Sequence, residues 1–288
     1  MTTITTPQNK ASNLAKAIDL PEIYLKREDL HPYGSHKGRS IPPMIDHYYG
    51  TGKREFVISS SGNAALAAAL KILELPEGNL TIFVGNHISP KKLKRLRGLE
   101  NDRVRILIKE RPVQALTQAV EAGAQSLRQS TDDLALAGYR DLAKELAEIP
   151  DLSAVFIGTS SGTTAQALSE YFLKEKLPIQ VHVVQTSSCH PISDGFETYD
   201  GEEETSLADA IVDRTAKRKD VLVPLIKKTG GNGWFANNED IIAAQELVSK
   251  HAGLEISTNS ALSVAGAMQA AYRGWPIKGS IACVICGE

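Results

Sequence analysis

The chain has 288 residues, of which 42% are hydrophobic and 23% are charged, and its formal net charge is −2. This composition is typical of a globular protein with one large or two smaller domains. The near-neutral charge disfavours a general nucleic-acid binder, which is usually basic. The one dense basic run, at 91–98, has leucines three positions apart and predicts a helix with a charged solvent face.

The sequence contains no apolar run of the roughly 20 residues that a membrane-spanning helix needs. Its first residues lack the apolar core of a secretory signal, and its 3 cysteines cannot all pair. We therefore expect a cytoplasmic protein with neither a membrane nor a nucleic-acid partner.

The CxxC spacing at 283–286 lies in a strand-like apolar run, where residues three apart point to opposite faces. We expect no metal site there or elsewhere.

Strand-like and helix-like segments alternate along the chain. The strands are predicted at 22–28, 54–60, 80–86, 103–109, 153–158, 179–186 and 280–286. The helices are predicted at 63–75, 89–99, 112–127, 138–149, 164–175, 238–253 and 260–274, with Ser89 and Asn238 as N-caps. This alternation predicts an α/β fold with mostly parallel sheets. The acidic stretch at 193–206 predicts a long surface loop.

Small, hydroxyl-bearing residues follow two of the predicted strands. The sequence is SSSGNAA at 59–65 and GTSSGTT at 158–164. In open α/β sheets, ligands bind where strands end and helices begin, and glycine lets backbone N–H groups approach an anion. The second loop therefore predicts a phosphate site and the first a separate anion site. The alternative is that both are ordinary helix caps. Neither loop has the spacing of a Rossmann fingerprint or a P-loop.

Lys37 lies in the specified turn HPYGSHKGRS, between Gly34 and Gly38. Lys37 has three interpretations: it is a surface lysine, a phosphate ligand or a reacting amine. A reactive amine, a phosphate loop and a second anion site are together what pyridoxal phosphate chemistry needs, since a lysine bonds the cofactor's aldehyde.

The segment YLKREDLHPYGSHKGR at 24–39 resembles the lysine segment of the tryptophan-synthase-β-like, or fold type II, pyridoxal phosphate enzymes. SSGNAA and GTSSGTT resemble that family's Ser-Gly-Asn and phosphate loops, and the motifs follow family order along nearly the whole chain. The resemblance implies two α/β domains, each a mostly parallel twisted sheet flanked by helices. It places the smaller domain at 36–145 and the larger, phosphate-binding domain at 1–35 together with 146–288. It also implies a homodimer.

The resemblance implies a role for each motif residue. Lys37 is the catalytic lysine, which forms a Schiff base with pyridoxal 5′-phosphate and later moves protons. Asn63 hydrogen-bonds the ring hydroxyl of the cofactor, and the same loop takes the carboxylate of an amino-acid substrate through Ser60, Ser61, Gly62 and Asn63. The cofactor's phosphate is held by Gly158, Thr159, Ser160, Ser161, Gly162 and Thr163. Ser160 and Ser161 stand where glycines are common in the family.

Cys286 falls where the family places Ser, Thr or Cys beside the pyridine nitrogen. A neutral partner makes the ring a milder electron sink and favours elimination or replacement at the β or γ carbon. The alternative for Cys286 is a buried strand cysteine without a role in the site. We expect His36, next to the lysine, to be exposed in its turn, with contact to the cofactor as the alternative.

The segments at 130–150 and 206–212 resemble corresponding segments of threonine synthases. This implies the conversion of O-phosphohomoserine and water to threonine and phosphate. Because one scaffold serves several reactions, a serine/threonine dehydratase or a β-replacement enzyme such as a cysteine synthase is the alternative. A regulatory protein that binds pyridoxal phosphate or an amino acid is the non-enzyme alternative, which the presence of both Lys37 and Asn63 disfavours.

Overall fold

The computed structural model describes residues 4–199, 201 and 204–287, so part of the predicted acidic loop at 193–206 lies outside the described residues. The chain divides into two compact units. Unit 2 is Pro32–Gly138, and unit 1 contains the segments on either side of it. Among the described residues, no helix is both long enough and apolar enough to cross a membrane.

The elements alternate between strands and helices. The strands are β1 Gln8–Lys10, β2 Ile23–Arg27, β3 Glu55–Ser59, β4 Asn79–Gly85, β5 Val104–Lys109, β6 Gln125–Ser126, β7 Leu152–Gly158, β8 Gln180–Thr186, β9 Gly233–Ala236 and β10 Ser280–Ile285. The helices are α1 Ser12–Ala17, α2 Ile41–Gly50, α3 Asn63–Glu74, α4 Pro90–Arg97, α5 Pro112–Glu121, α6 Leu134–Ala137, α7 Tyr139–Ala147, α8 Thr163–Lys174, α9 Lys219–Thr229, α10 Asn238–Ala252 and α11 Thr258–Tyr272.

Unit 1 contains a six-stranded sheet in the order β1-β2-β10-β7-β8-β9. Only the β1–β2 pair is antiparallel, and the other neighbours run parallel. The chain proceeds outward from β7 to β8 and β9, and β10 then returns to the other side of β7. This reversal makes the carboxyl ends of β7 and β10 a topological switch point, where ligands bind in open α/β sheets.

Unit 2 contains a four-stranded parallel sheet in the order β5-β4-β3-β6. The chain proceeds from β3 through β4 to β5, and β6 then returns to the free side of β3. A second switch point therefore lies at the carboxyl ends of β3 and β6. Both sheets confirm the predicted α/β class with mostly parallel strands.

Apolar residues cover both faces of the unit 1 sheet. Ala154 and Phe156 of β7 belong to a buried cluster that includes residues of α1, α10 and α11. Val155 and Ile157, one position along, are equally buried and point to the opposite face because side chains alternate along a strand. A sheet covered on both faces is typical of parallel α/β folds.

Two predicted elements differ in the structure. The helix predicted at 112–127 ends at Glu121, because Gly123 takes a left-handed φ of +103° and the chain continues into β6. The N-cap of α10 is Asn237 rather than the predicted Asn238. Asn237 Oδ1 accepts from Asp240 N at 2.8 Å, and Asp240 Oδ2 accepts from Asn237 N at 3.0 Å, which forms a capping box.

The sequence pattern also missed several short or irregular elements. These are α1, α2, α6, α9, β1, β6 and β9.

Candidate active-site residues

Lys37 lies in a short 3₁₀ turn of unit 2, His36–Arg39, and its side chain is half-buried. The turn is capped by Ser35, whose Oγ accepts from Lys37 N at 3.3 Å. Gly34 enters the turn with a φ of +75°, a conformation that favours glycine. The Ser35 cap and the Gly34 conformation therefore fix the backbone that leads into Lys37.

The other residues of this turn are buried. His36 is only 8% exposed and Arg39 only 5%, so the predicted exposure of His36 is wrong. The physical reason is packing, because the turn lies against α2 and α3 of the same unit. The backbone at Gly138 also packs closely against the turn, since a Cβ at that position would lie 1.5 Å from the carbonyl oxygen of Arg39.

The Ser-Gly-Asn loop follows β3 and leads directly into α3, whose first residue is Asn63. Ser60, Ser61, Gly62 and Asn63 are all half-buried. Ser60 Oγ accepts from Gly62 N at 3.3 Å, which forms a short turn within the loop. The sequence therefore places the predicted substrate-carboxylate residues at the N-terminus of a 12-residue helix, which favours an anion.

Arg128 was not identified from the sequence, and it follows β6, the strand beside β3. Its Nε donates to Ser130 Oγ at 3.1 Å, and its side chain is half-buried. No carboxylate pairs with this guanidinium in the part of the chain that the structure describes. Because β3 and β6 run parallel, Arg128 lies at the same sheet edge as the Ser-Gly-Asn loop.

The glycine- and serine-rich loop Gly158–Thr163 connects β7 to α8 in unit 1. Gly162 caps the helix with a left-handed φ of +86°. A Cβ at Gly158 would lie 2.9 Å from the carbonyl oxygen of Asn259, so this position also needs glycine. Within the described residues, the N–H groups of Ser160, Ser161 and Gly162 donate to no protein acceptor.

Gln185 fixes the backbone of this loop from within the protein. Its buried side chain donates from Nε2 to Thr159 O at 3.1 Å, and its Oε1 accepts from Ile192 N and Ser193 N at 2.7 and 3.0 Å. The carbonyls of Thr159 and Ser160 thus point towards Gln185, and the N–H groups of Ser160, Ser161 and Gly162 remain available to a ligand. Free N–H donors at the N-terminus of a 12-residue helix fit a phosphate group.

Cys286 directly follows β10 and is 6% exposed. Ser260 Oγ lies 3.7 Å from its Sγ, and Ser257 Oγ donates to Gly287 O at 2.6 Å. Both serines belong to the N-terminal end of α11, which Ser257 caps. Ser260 Oγ and Gly287 O, which the thiol contacts, are both neutral. Because β10 lies beside β7, Cys286 and the glycine-rich loop follow the two strands of one switch point.

A family model described as "Pyridoxal-phosphate dependent enzyme" matches residues 1–287. The threonine synthase of Mycobacterium tuberculosis (strain ATCC 25618 / H37Rv) is 26% identical over 303 residues, which covers 98% of this chain and 81% of the synthase. The threonine synthase of Methanosarcina acetivorans is 24% identical, with coverage of 91% and 68%.

Solved structures show the same fold. A pyridoxal 5′-phosphate-dependent aspartate racemase superimposes with a TM-score of 0.83 at 20% identity, covering 99% of this chain and 90% of the racemase. Threonine deaminase isoform 2 from Solanum lycopersicum gives a TM-score of 0.80 at 21% identity, covering 99% and 84%.

The fold and the matches define a fold type II enzyme that depends on pyridoxal phosphate. The chain belongs to the pyridoxal-phosphate-dependent enzyme family and is a lyase with pyridoxal phosphate as its cofactor. The resemblance that the sequence motifs indicated is thereby confirmed, whereas the role of each motif residue stays a prediction.

Proposed function

We propose that this lyase is a threonine synthase, which converts O-phosphohomoserine and water to threonine and phosphate. The relatives described above are named threonine synthase, and such relatives match 91–98% of this chain. The identities of 24–26% leave dehydratase or β-replacement activity as the competing function. That competing function is favoured by the structural neighbours, which include a threonine deaminase and a cystathionine β-synthase.

The placement of Arg128 is the observation on which this proposal rests. The substrate of a threonine synthase carries a phosphate group, which serine and threonine lack and which needs cationic or hydroxyl ligands. Arg128 offers a half-buried guanidinium at the sheet edge of the Ser-Gly-Asn loop, and Ser130 Oγ directs its Nε. An arginine with free Nη donors binds phosphate bidentately, and serine and threonine offer it no phosphate.

The other roles follow from the chemistry of each group. The loop Gly158–Thr163 binds the cofactor phosphate through backbone donors, and bound pyridoxal phosphate supplies an electron sink for bond breaking at the amino acid. Lys37 Nζ holds and moves the protons at Cα and Cβ of the substrate. The Ser-Gly-Asn loop orients the substrate carboxylate, and Cys286 offers a neutral donor to the pyridine nitrogen.

The deciding experiment is a turnover screen of the purified holoenzyme. We expect phosphate release from O-phosphohomoserine that exceeds ammonia or keto-acid release from serine and threonine. Lys37→Ala is the control and should lose every one of these activities. Faster ammonia release from serine or threonine, with no phosphate release, would replace this proposal by a dehydratase.

Arg128→Leu tests whether Arg128 binds the phosphate group of the substrate. Losing a hydrogen bond to a charged group should raise the KM for O-phosphohomoserine by roughly 10- to 100-fold. Any residual turnover of serine or threonine should be unaffected, because these substrates carry no phosphate. Arg105→Leu is the matched control, since Arg105 is exposed on the edge strand β5 and should leave the KM unchanged. An equal KM in the two variants would remove Arg128 from the proposal.

A further inference from the structure

The strap, which we define as residues 206–216 of unit 1, is bound to the glycine-rich loop through one side chain. Ser160 Oγ lies 3.2 Å from Val212 N and 3.2 Å from Asp213 N, and both N–H groups donate to it. Val212 is 69% exposed, so apolar burial does not hold this part of the strap. The hydroxyl of Ser160 therefore fixes the strap at these two residues.

The first half of the strap is held independently of the loop. Thr258 Oγ1 donates to Leu207 O at 2.8 Å, and Asn259 Oδ1 accepts from Ala210 N at 3.0 Å. Both side chains belong to the first turn of α11. Ile211 is buried, with 7% of its surface exposed. Loss of the Ser160 bonds would therefore release residues 212 and 213 without detaching the whole strap.

The hydrogen-bond capacity of Ser160 determines what its hydroxyl can still do. A serine hydroxyl accepts two hydrogen bonds and donates one. Val212 N–H and Asp213 N–H occupy both acceptor positions, so the O–H remains as a donor. Accepting two hydrogen bonds also polarises this O–H and strengthens the bond that it makes to an anion.

We propose that Ser160 is a positioning residue that couples the strap to the cofactor phosphate. The strap aims the Ser160 O–H at the phosphate held by the loop, and phosphate binding in turn orders residues 212 and 213. The coupling is reciprocal because each partner changes the binding free energy of the other. The inference rests on the placement of the cofactor phosphate in the loop Gly158–Thr163, which belongs to the proposed function.

Amide hydrogen exchange of the whole chain tests the coupling. Adding pyridoxal 5′-phosphate should slow exchange at Ser160, Ser161 and Gly162, and also at Val212 and Asp213. Pyridoxal, which lacks the phosphate, should leave all five amides at their cofactor-free rates.

Ser160→Ala should remove the response at residues 212 and 213 while the loop amides still respond to pyridoxal 5′-phosphate. It should also weaken the affinity for this cofactor by about tenfold, as expected for one lost hydrogen bond to a charged group. Ser206→Ala is the matched control. Ser206 Oγ accepts from Ala208 N at 3.1 Å within the strap, and among the described residues no hydrogen bond joins it to the loop. This variant should keep both the cofactor affinity and the response at residues 212 and 213.

The possible outcomes distinguish the coupling from the placement of the cofactor phosphate. Protection of the loop amides without any change at Val212 and Asp213 would overturn the coupling and leave the phosphate placement intact. An absence of protection at the loop amides would overturn the coupling together with that placement. An equal loss of affinity in the Ser160 and Ser206 variants would show a general effect of strap loosening and would also contradict the proposal.

Discussion

His182, on β8, illustrates how a single buried residue can carry a pH dependence that has nothing to do with catalysis. Its Nδ1 accepts from Asn232 N and from Trp234 Nε1, each at 3.1 Å, and its ring stacks on Phe156 with a centroid distance of 4.4 Å. Burial lowers the pKa of His182 to about 3. Two donors at Nδ1 also require the tautomer with the proton on Nε2, which leaves the ring neutral.

We expect the free energy of unfolding to fall as the pH drops from about 6.5 towards 3. Over this range the unfolded chain binds a proton at His182 and the folded chain does not. The free energy of unfolding therefore falls by up to about 1.4 kcal/mol per pH unit. His182→Phe should keep the stack and flatten this slope, although the loss of three hydrogen bonds, from Asn232 N and Trp234 Nε1 and to Gln180 Oε1, lowers stability at neutral pH by about 1–3 kcal/mol. Urea unfolding at pH 7.5 and pH 5 measures both effects. His87→Gln, at an exposed site, should retain the wild-type slope, and an unchanged slope in His182→Phe would refute the assignment.

Residues were predictable from sequence where their function depends on local chain geometry. The two anion loops depend on a strand end and a helix start, which the hydrophobic pattern shows directly. Arg128 was not predictable, because it lies beside the Ser-Gly-Asn loop only through the pairing of β3 with β6, whose segments are nearly 70 residues apart in the chain. A two-residue strand has no periodicity of its own. The helical pattern predicted at 112–127 also continues across the residues of β6.

At the scale of elements, the turn that carries Lys37 depends on a contact with the junction of α6 and α7. Gly138 lies in this junction with ordinary helical dihedral angles, so its backbone conformation does not require glycine. The requirement is steric, because a Cβ would lie 1.5 Å from the Arg39 carbonyl oxygen and 2.6 Å from its carbonyl carbon. The two segments are brought together by Ser40 Oγ, which donates to Ala135 O at 2.9 Å.

Gly138→Ala should therefore lower the free energy of unfolding by about 3 kcal/mol, the upper end of the usual cost of overpacking. It should also reduce cofactor loading, because the overlap displaces the carbonyl two residues beyond Lys37. Gly50→Ala is the matched control, since nothing lies within 4 Å of its Cβ position in the same unit. Urea denaturation compares them, and equal stability of the two variants would mean that the junction adjusts without cost.

Periodic elements were predicted well and marginal ones were not. The pattern placed β2, β4, α3 and α8 within one or two residues of their observed bounds. It missed β9, a four-residue strand with no polar alternation, and α9, which contains Pro224. These elements are stabilised by tertiary packing, which a local pattern does not contain.

At the scale of the whole molecule, the same topological device occurs in both units. Each sheet reverses its strand order once, at β7 and β10 in unit 1 and at β3 and β6 in unit 2. The predicted phosphate loop and Cys286 follow the strands of the first reversal. The Ser-Gly-Asn loop and Arg128 follow those of the second.

We expect pyridoxal 5′-phosphate to raise the free energy of unfolding by about 2.7 kcal/mol at a concentration 100 times its Kd. Pyridoxine 5′-phosphate keeps the phosphate and lacks the aldehyde, so it should stabilise the wild type less at the same concentration. Lys37→Ala should abolish this difference, because neither compound can then bond an amine, and the phosphate contacts still stabilise the fold. Urea unfolding of both proteins with each compound gives the four values needed. Equal stabilisation of the wild type by the two compounds would exclude Lys37 as the residue that bonds the cofactor, whereas no stabilisation by pyridoxine 5′-phosphate would exclude the loop as a sufficient phosphate site.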